Sequence, residues 1–112
     1  MTYSLEQSHD TWMNAYYLGK IDILKKYEHP HLKVLFRDSG IIETQLDRYE
    51  RIRHAIQNGV WKPKKYDIDI EEFEYNEQNT RCKISMKSAN GRLILEELWT
   101  FEASWKILAL NV

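Results

Sequence analysis

Apolar residues recur at helical spacing from the start of the chain. Leu5, Trp12, Met13 and Tyr16, with His9 among them, fall on one side of a 3.6-residue period. Ser4 and Gln7 make a capping box, in which each side chain can satisfy the other's free backbone donor. Gly19 ends this helix. A short second helix carries Ile21, Leu24 and Tyr27 on one side, and Pro30 stops it by forcing the preceding residue out of the helical region. The pattern then becomes extended from His31 to Arg37, turns at Ser39-Gly40 and returns from Ile41 to Thr44. A third helix is predicted from Gln45 to Gln57, with Leu46, Tyr49, Ile52 and Ile56 as its apolar stripe. Asn58-Gly59 closes it, because glycine accepts the left-handed conformation at a helix end. Trp61 and Pro63 lie in the following connection.

The last third reads as four consecutive strands, Tyr66–Tyr75, Thr80–Ser88, Arg92–Phe101 and Trp105–Val112. Asn90-Gly91 is a strong two-residue hairpin signal and Glu77-Gln78-Asn79 a looser turn. Folding at these turns sets the register. Met86 falls opposite Leu95, Ile84 opposite Glu97 and Cys82 opposite Trp99. Tyr75 falls opposite Thr80 and Phe73 opposite Cys82. Tyr66, Ile68 and Ile70 differ in parity from Phe73 and Tyr75, and an extra residue at Glu71-Glu72, a β-bulge, would reconcile them. Asp67 then meets Lys87. On the other face Glu74 lies by Arg81, and Glu71 or Glu72 by Lys83. The acidic and basic runs therefore read as one solvated face, each pair worth only about 0.2–1 kcal/mol.

The last two strands carry large apolar residues on both faces. Ile94 and Leu98 lie behind Leu93, Leu95, Trp99 and Phe101, and Trp105 and Ile107 alternate with Leu108, Leu110 and Val112. A strand apolar on both faces is buried on both. The chain's own helices can cover one. A homodimer through the other is expected, with Ile94, Leu98 and Trp105 or Ile107 near the contact.

Composition narrows the classes. The 112 residues form a single domain, 1–112, with no repeat, linker or low-complexity tract. A hydrophobic fraction of 43% and a charged fraction of 29% are globular values. The formal net charge of -1 supplies no basic field for nucleic acid. The single cysteine, Cys82, rules out an internal disulfide. No apolar run approaches a membrane span of roughly 20 residues, and Met1-Thr2-Tyr3-Ser4 does not open a signal peptide. A cytoplasmic protein without nucleic-acid or membrane partners is expected.

The order helix, helix, hairpin, helix and four-stranded meander resembles the nuclear transport factor 2-like superfamily, including its ketosteroid isomerase-like and polyketide cyclase-like branches. The likeness is carried by Trp12, Ala15 and Asp22, by His29-Pro30-His31-Leu32, Ser39-Gly40 and Leu46-Asp47, and by Glu97-Leu98-Trp99-Thr100-Phe101 with Trp105-Lys106-Ile107-Leu108. It implies an α+β cone: a strongly bent, mostly antiparallel sheet packed on the N-terminal helices, with a pocket at its wide end. It also implies dimers through the outer face. It does not imply a reaction, because this cone serves enzymes, binders and interaction modules.

Glu97 is the most informative polar residue. The register places it on the inner face among Leu95, Trp99, Ile84 and Phe101, where burial would raise its pKa and suit it to acid or base work. Solvation at a rim, or pairing with a tyrosine or arginine, is the alternative. His31, beside His29 and Pro30, is a candidate proton carrier, though no third ligand supports a metal. Asp38 is either a turn former or a base. Trp12, Tyr16, Tyr49, Trp61 and Trp99 are either core or ligand-binding pocket walls. Cys82 reads as an inert core thiol. Histidine or arginine late in the last strand, found in many relatives with polar pockets, is replaced here by Leu108-Ala109-Leu110-Asn111-Val112. The Asp, Tyr and protonated Asp of ketosteroid isomerase have no motif-level counterpart. The expected function is small-molecule binding in the cone, with no cofactor or metal. The alternatives are an isomerase, dehydratase or cyclase using Glu97, and a filled, non-catalytic interaction module.

Overall fold

The computed structural model describes residues 4–63 and 65–112. The opening Met1-Thr2-Tyr3, part of the leader reading, lies outside the described residues. Three helices, α1 (Leu5–Leu18), α2 (Ile21–Tyr27) and α3 (Gln45–Gln57), accompany six strands: β1 (Glu28–Phe36), β2 (Ile41–Thr44), β3 (Ile70–Tyr75), β4 (Arg81–Lys87), β5 (Leu93–Glu102) and β6 (Ser104–Asn111). The sheet order is β2-β1-β6-β5-β4-β3. Only β1 and β6 run parallel, so the sheet is mixed and mostly antiparallel.

Local chemistry accounts for the helix ends. Ser4 and Gln7 satisfy each other's backbone donors in the expected capping box. Gly19 takes φ 68°, and a Cβ there would sit 2.6 Å from Ile56 Cδ1 and 3.1 Å from Trp61 Cδ1. Glycine is thus required by conformation and by close approach together. Pro30 does not end α2. It lies within β1, between Glu28 and Lys33, where the pairing with β6 is interrupted and β2 has not yet begun, so no ladder bond needs its missing N–H.

The central register is as the turns predict: Cys82 pairs with Trp99, Ile84 with Glu97 and Met86 with Leu95. The β4–β5 hairpin is built differently, however. Ser88 bonds Arg92 across a three-residue loop, and a register shift between Met86 and Lys87 restores the expected pairing. The β3–β4 register is two residues off the expectation. Tyr75 faces Cys82 and Phe73 faces Ile84. Asn76 is the cause: its backbone closes on Arg81, and its Oδ1 accepts from the N–H groups of Thr80 and Arg81 at 2.8 and 2.9 Å. There is no bulge at Glu71-Glu72. The pairing runs unbroken from Ile70 to Tyr75, and the parity change falls before β3 begins. Glu74 pairs with Lys83 at 3.4 Å and Glu72 with Lys87 at 3.0 Å on a solvated face, in place of the expected Glu74–Arg81 and Asp67–Lys87, whereas Glu71 falls opposite buried Met86 on the other parity.

A bulge does occur in β6. The pairing shifts between Leu98↔Ala109 and Trp99↔Ile107, leaving Leu108 unpaired. That extra residue flips the alternation, so Trp105 and Ile107 share the inner side with Leu110. Ile107 is fully buried within one subunit and Trp105 nearly so, and neither is free to form the expected dimer contact. The outer face keeps half-buried Ile94 and Leu98. In α3 the buried set is Arg48, Tyr49 and Ile52, while Leu46 and Ile56 are exposed.

The core joins Trp12 of α1 and Leu24 of α2 to Leu32, Ile52, Ile84, Met86, Trp99 and Ile107. Among the described residues no helix is long and apolar enough to cross a membrane.

Candidate functional site

Two carboxylates lie inside this core. Glu97, wholly buried on β5, accepts a hydrogen bond from the Trp99 indole N–H at 2.7 Å. His9 Nε2, from α1, stands 3.2 Å from each Glu97 oxygen. The one-turn spacing that lines up Leu5, His9 and Trp12 on α1 brings all three against the sheet, and Trp12 meets the Trp99 ring edge-on at 5.9 Å. Burial by itself would lower the His9 pKa. The hydrogen bond and negative charge of Glu97, aided by Glu71 and Asp10, outweigh it and raise the pKa above the ordinary 6.5.

Glu28 is the second carboxylate, at the joint between α2 and β1. It accepts from Trp12 Nε1 and from the Tyr49 hydroxyl, each at 2.8 Å, and pairs closely with Arg48 Nη1. Burial and the Glu28 charge push the Tyr49 phenol far up, so it remains a donor. The Arg48 guanidinium lies over the rings of Tyr16 and Trp12, 5.2 and 5.9 Å from their centres. Arg48 Nη2 is buried and has no hydrogen-bond partner among the described residues.

Between these two clusters is a cavity of about 80 Å³. Its walls are Trp12, Met13, Tyr16 and Tyr17 from α1, Val34 and Phe36 from β1, Arg48 and Arg51 from α3, Tyr66, Leu95 and Glu97, and Leu110 with Val112. A surface groove of about 230 Å³ between α2 and α3 is roomier. It is edged by the exposed Lys25, Glu50 and Arg53, and offers no buried apolar wall beyond Tyr49. The smaller cavity, which combines apolar walls with two buried charged groups, is the better candidate.

The structure brings Glu97, Trp12 and Tyr16 to this cavity. Trp99 packs behind it on Trp12 and His9. Tyr49 faces Glu28, and Trp61 stacks edge-on against Tyr16 at 5.4 Å. Asp38 is exposed in the β1–β2 turn, and His31 is exposed on β1 beside His29. Neither meets Glu97. His9, Glu28 and Arg48 are the buried polar side chains of this region that sequence reasoning did not single out as site candidates. Cys82 is buried, and burial raises its thiol pKa, in keeping with an inert thiol.

The His9–Glu97 contact makes stability depend on pH. A histidine whose folded pKa is raised stabilises the fold fully below its unfolded value of about 6.5, and this is lost as pH rises through the folded value. Urea denaturation should show stability falling on going above that value. His9→Gln should flatten the fall, separating His9 from His29, His31 and His54. An unchanged slope in His9→Gln would show that His9 carries no such charge.

No protein-family model matches the chain, and no curated protein matches it. Solved structures do. An NTF2-like protein of unknown function in nutrient uptake from Rhodospirillum rubrum superposes with a TM-score of 0.74 at 13% identity, covering 97% of this chain and 96% of that one. A candidate ketosteroid isomerase from Shewanella frigidimarina gives 0.64 at 13% identity, covering 94% and 90%. A CaMKII hub from S. rosetta gives 0.63 at 9% identity, covering 96% and 91%. The helices, the mixed sheet and these superpositions together show that the chain has the nuclear transport factor 2-like α+β fold.

Proposed function

We propose that the protein binds a small, largely apolar molecule in the cavity between α1 and the sheet, and holds it without transforming it. The observation that carries this reading is the state of Glu97. It borders the cavity, but one oxygen accepts from Trp99 and both lie beside His9, so it is built into the wall. An acid or base would need an oxygen within reach of the substrate's proton. The remaining walls are mainly aromatic and aliphatic, the usual lining of a small-molecule site. The cavity also argues against an interaction module with a filled cone. The fold does not choose among these roles, since its neighbours carry names as different as a candidate isomerase and a kinase hub.

The same reading includes a homodimer, whose contact would lie on the outer sheet face at Ile94 and Leu98. Native mass spectrometry of the purified protein tests both parts. The expected result is a dimer carrying a small-molecule adduct that leaves on collisional activation and is retained by Glu97→Gln. Bare subunits alone would count against the dimer and the ligand. A carried molecule that wild type converts and Glu97→Gln does not would replace this reading with the enzyme.

A further inference from the structure

We propose that the ligand is a carboxylic acid, received by Arg48 Nη2 with its apolar body against the aromatic wall; this rests on the cavity being a ligand site. Arg48 is 2% exposed, among the most deeply buried charged side chains of the protein. A guanidinium carries five donors. Glu28 engages Nη1, Nη2 is left buried without a partner, and the Arg48 side chain borders the cavity. An unmet buried donor costs about 1–3 kcal/mol, more when charged. Native structures rarely keep one without a use.

The charges around the cavity favour an anionic acceptor. Arg48 and Arg51 stand three residues apart on α3, a spacing that places both on one face, and both border the cavity. Glu97 is the carboxylate on the wall, and the raised pKa of His9 favours an imidazolium that offsets it. Arg51 is held by Glu43 through Nε and Nη2 at 2.9 and 3.0 Å, which leaves Arg48 as the arginine with the buried unmet nitrogen. Guanidinium and carboxylate match in planarity, and their hydrogen bonds are roughly twice as strong as neutral ones. The Trp12 and Tyr16 rings hold the guanidinium plane in place and offer the adjoining apolar surface. A cavity of about 80 Å³ limits the ligand to a short chain or a single ring.

Calorimetric titration near neutral pH tests this with butanoate, hexanoate and benzoate, each beside its primary amide. The acid and amide share a shape and differ in charge. At least one acid is expected to bind the wild type about tenfold or more tightly than its amide. Arg48→Lys keeps a cation opposite Glu28 but has no second nitrogen. It should lose about tenfold in acid affinity and leave the amide unchanged. Should Arg48→Lys fail to fold, wild-type nitrogen NMR decides instead: a bound acid must shift the Arg48 guanidinium resonances, and an acid that binds without shifting them overturns the assignment. Equal affinity for acids and amides would overturn the carboxylate and leave the apolar-binding reading standing. Failure of all six to bind would overturn both.

Discussion

Arg48→Met is expected to destabilise the protein by about 3–5 kcal/mol, the cost of leaving one partner of a buried ion pair without the other. Arg48 and Glu28 are each 2% exposed, so water cannot replace the lost partner. Glu28 would keep its hydrogen bonds from Trp12 and Tyr49, and these neutral donors do not balance a full charge. Total stability in domains of this kind is about 5–15 kcal/mol, so the variant should sit near the edge of folding. Equilibrium urea denaturation reads the loss as a midpoint lowered by more than about 1 M. Adding Glu28→Gln should recover most of it, because the glutamine oxygen still accepts from Trp12 Nε1, its NH2 can donate to the Tyr49 hydroxyl oxygen, and no charge is left behind. The recovery separates a charge effect from a packing effect. A single variant within about 1 kcal/mol of wild type would mean that Arg48 and Glu28 are solvated and that the cluster described here does not form.

This buried pair is also where reading the sequence failed, and the reason is physical. Hydrophobic periodicity finds helix faces by assuming that buried positions are apolar. In α3 the buried face runs through Arg48, Tyr49 and Ile52, spaced as a helix face should be, but one of its members is charged. The expected stripe held Tyr49 and Ile52, which are buried, but also counted apolar Leu46 and Ile56, which are exposed. Glu28 left no local trace, since its partners lie 16, 20 and 21 residues away in sequence. Glu97 was legible because a hairpin register is a local quantity: the Asn90-Gly91 turn placed it opposite Ile84, as observed. The β6 bulge was not legible. An alternation broken by one residue reads as apolar on both faces, and the expected role of Trp105 and Ile107 in a dimer came from that reading. The β3–β4 register failed for a related reason, because the Asn76 side chain bonds to Thr80 and Arg81 and lengthens the turn beyond its apparent tip. Side-chain chemistry, then, overrode pattern in α3 and at the β3–β4 turn, while the backbone of β6 did so through one added residue.

Trp99→Ala should cost about 3–5 kcal/mol, and Trp99→Phe should cost less, about 1–3 kcal/mol. Trp99 is fully buried and meets two rings edge-on, Trp12 at 5.9 Å and His9 at 6.1 Å. Alanine removes the ring, its edge contacts and the donor to Glu97 at once. Phenylalanine keeps one six-membered ring and removes the donor together with the pyrrole half of the indole. The difference between the two variants in thermal or urea unfolding therefore measures the packing of that ring, and the difference between phenylalanine and wild type combines the hydrogen bond with the smaller volume lost. His9 reports the same event independently. Without the indole N–H, Glu97 depends on His9 alone, and the more localised charge should hold the imidazole proton to higher pH. Imidazole NMR of Trp99→Phe should show the His9 titration displaced upward from wild type. A His9 titration that stays in place would mean that Trp99 and His9 do not share the Glu97 carboxylate, and the wall of the cavity would need to be drawn without that pair.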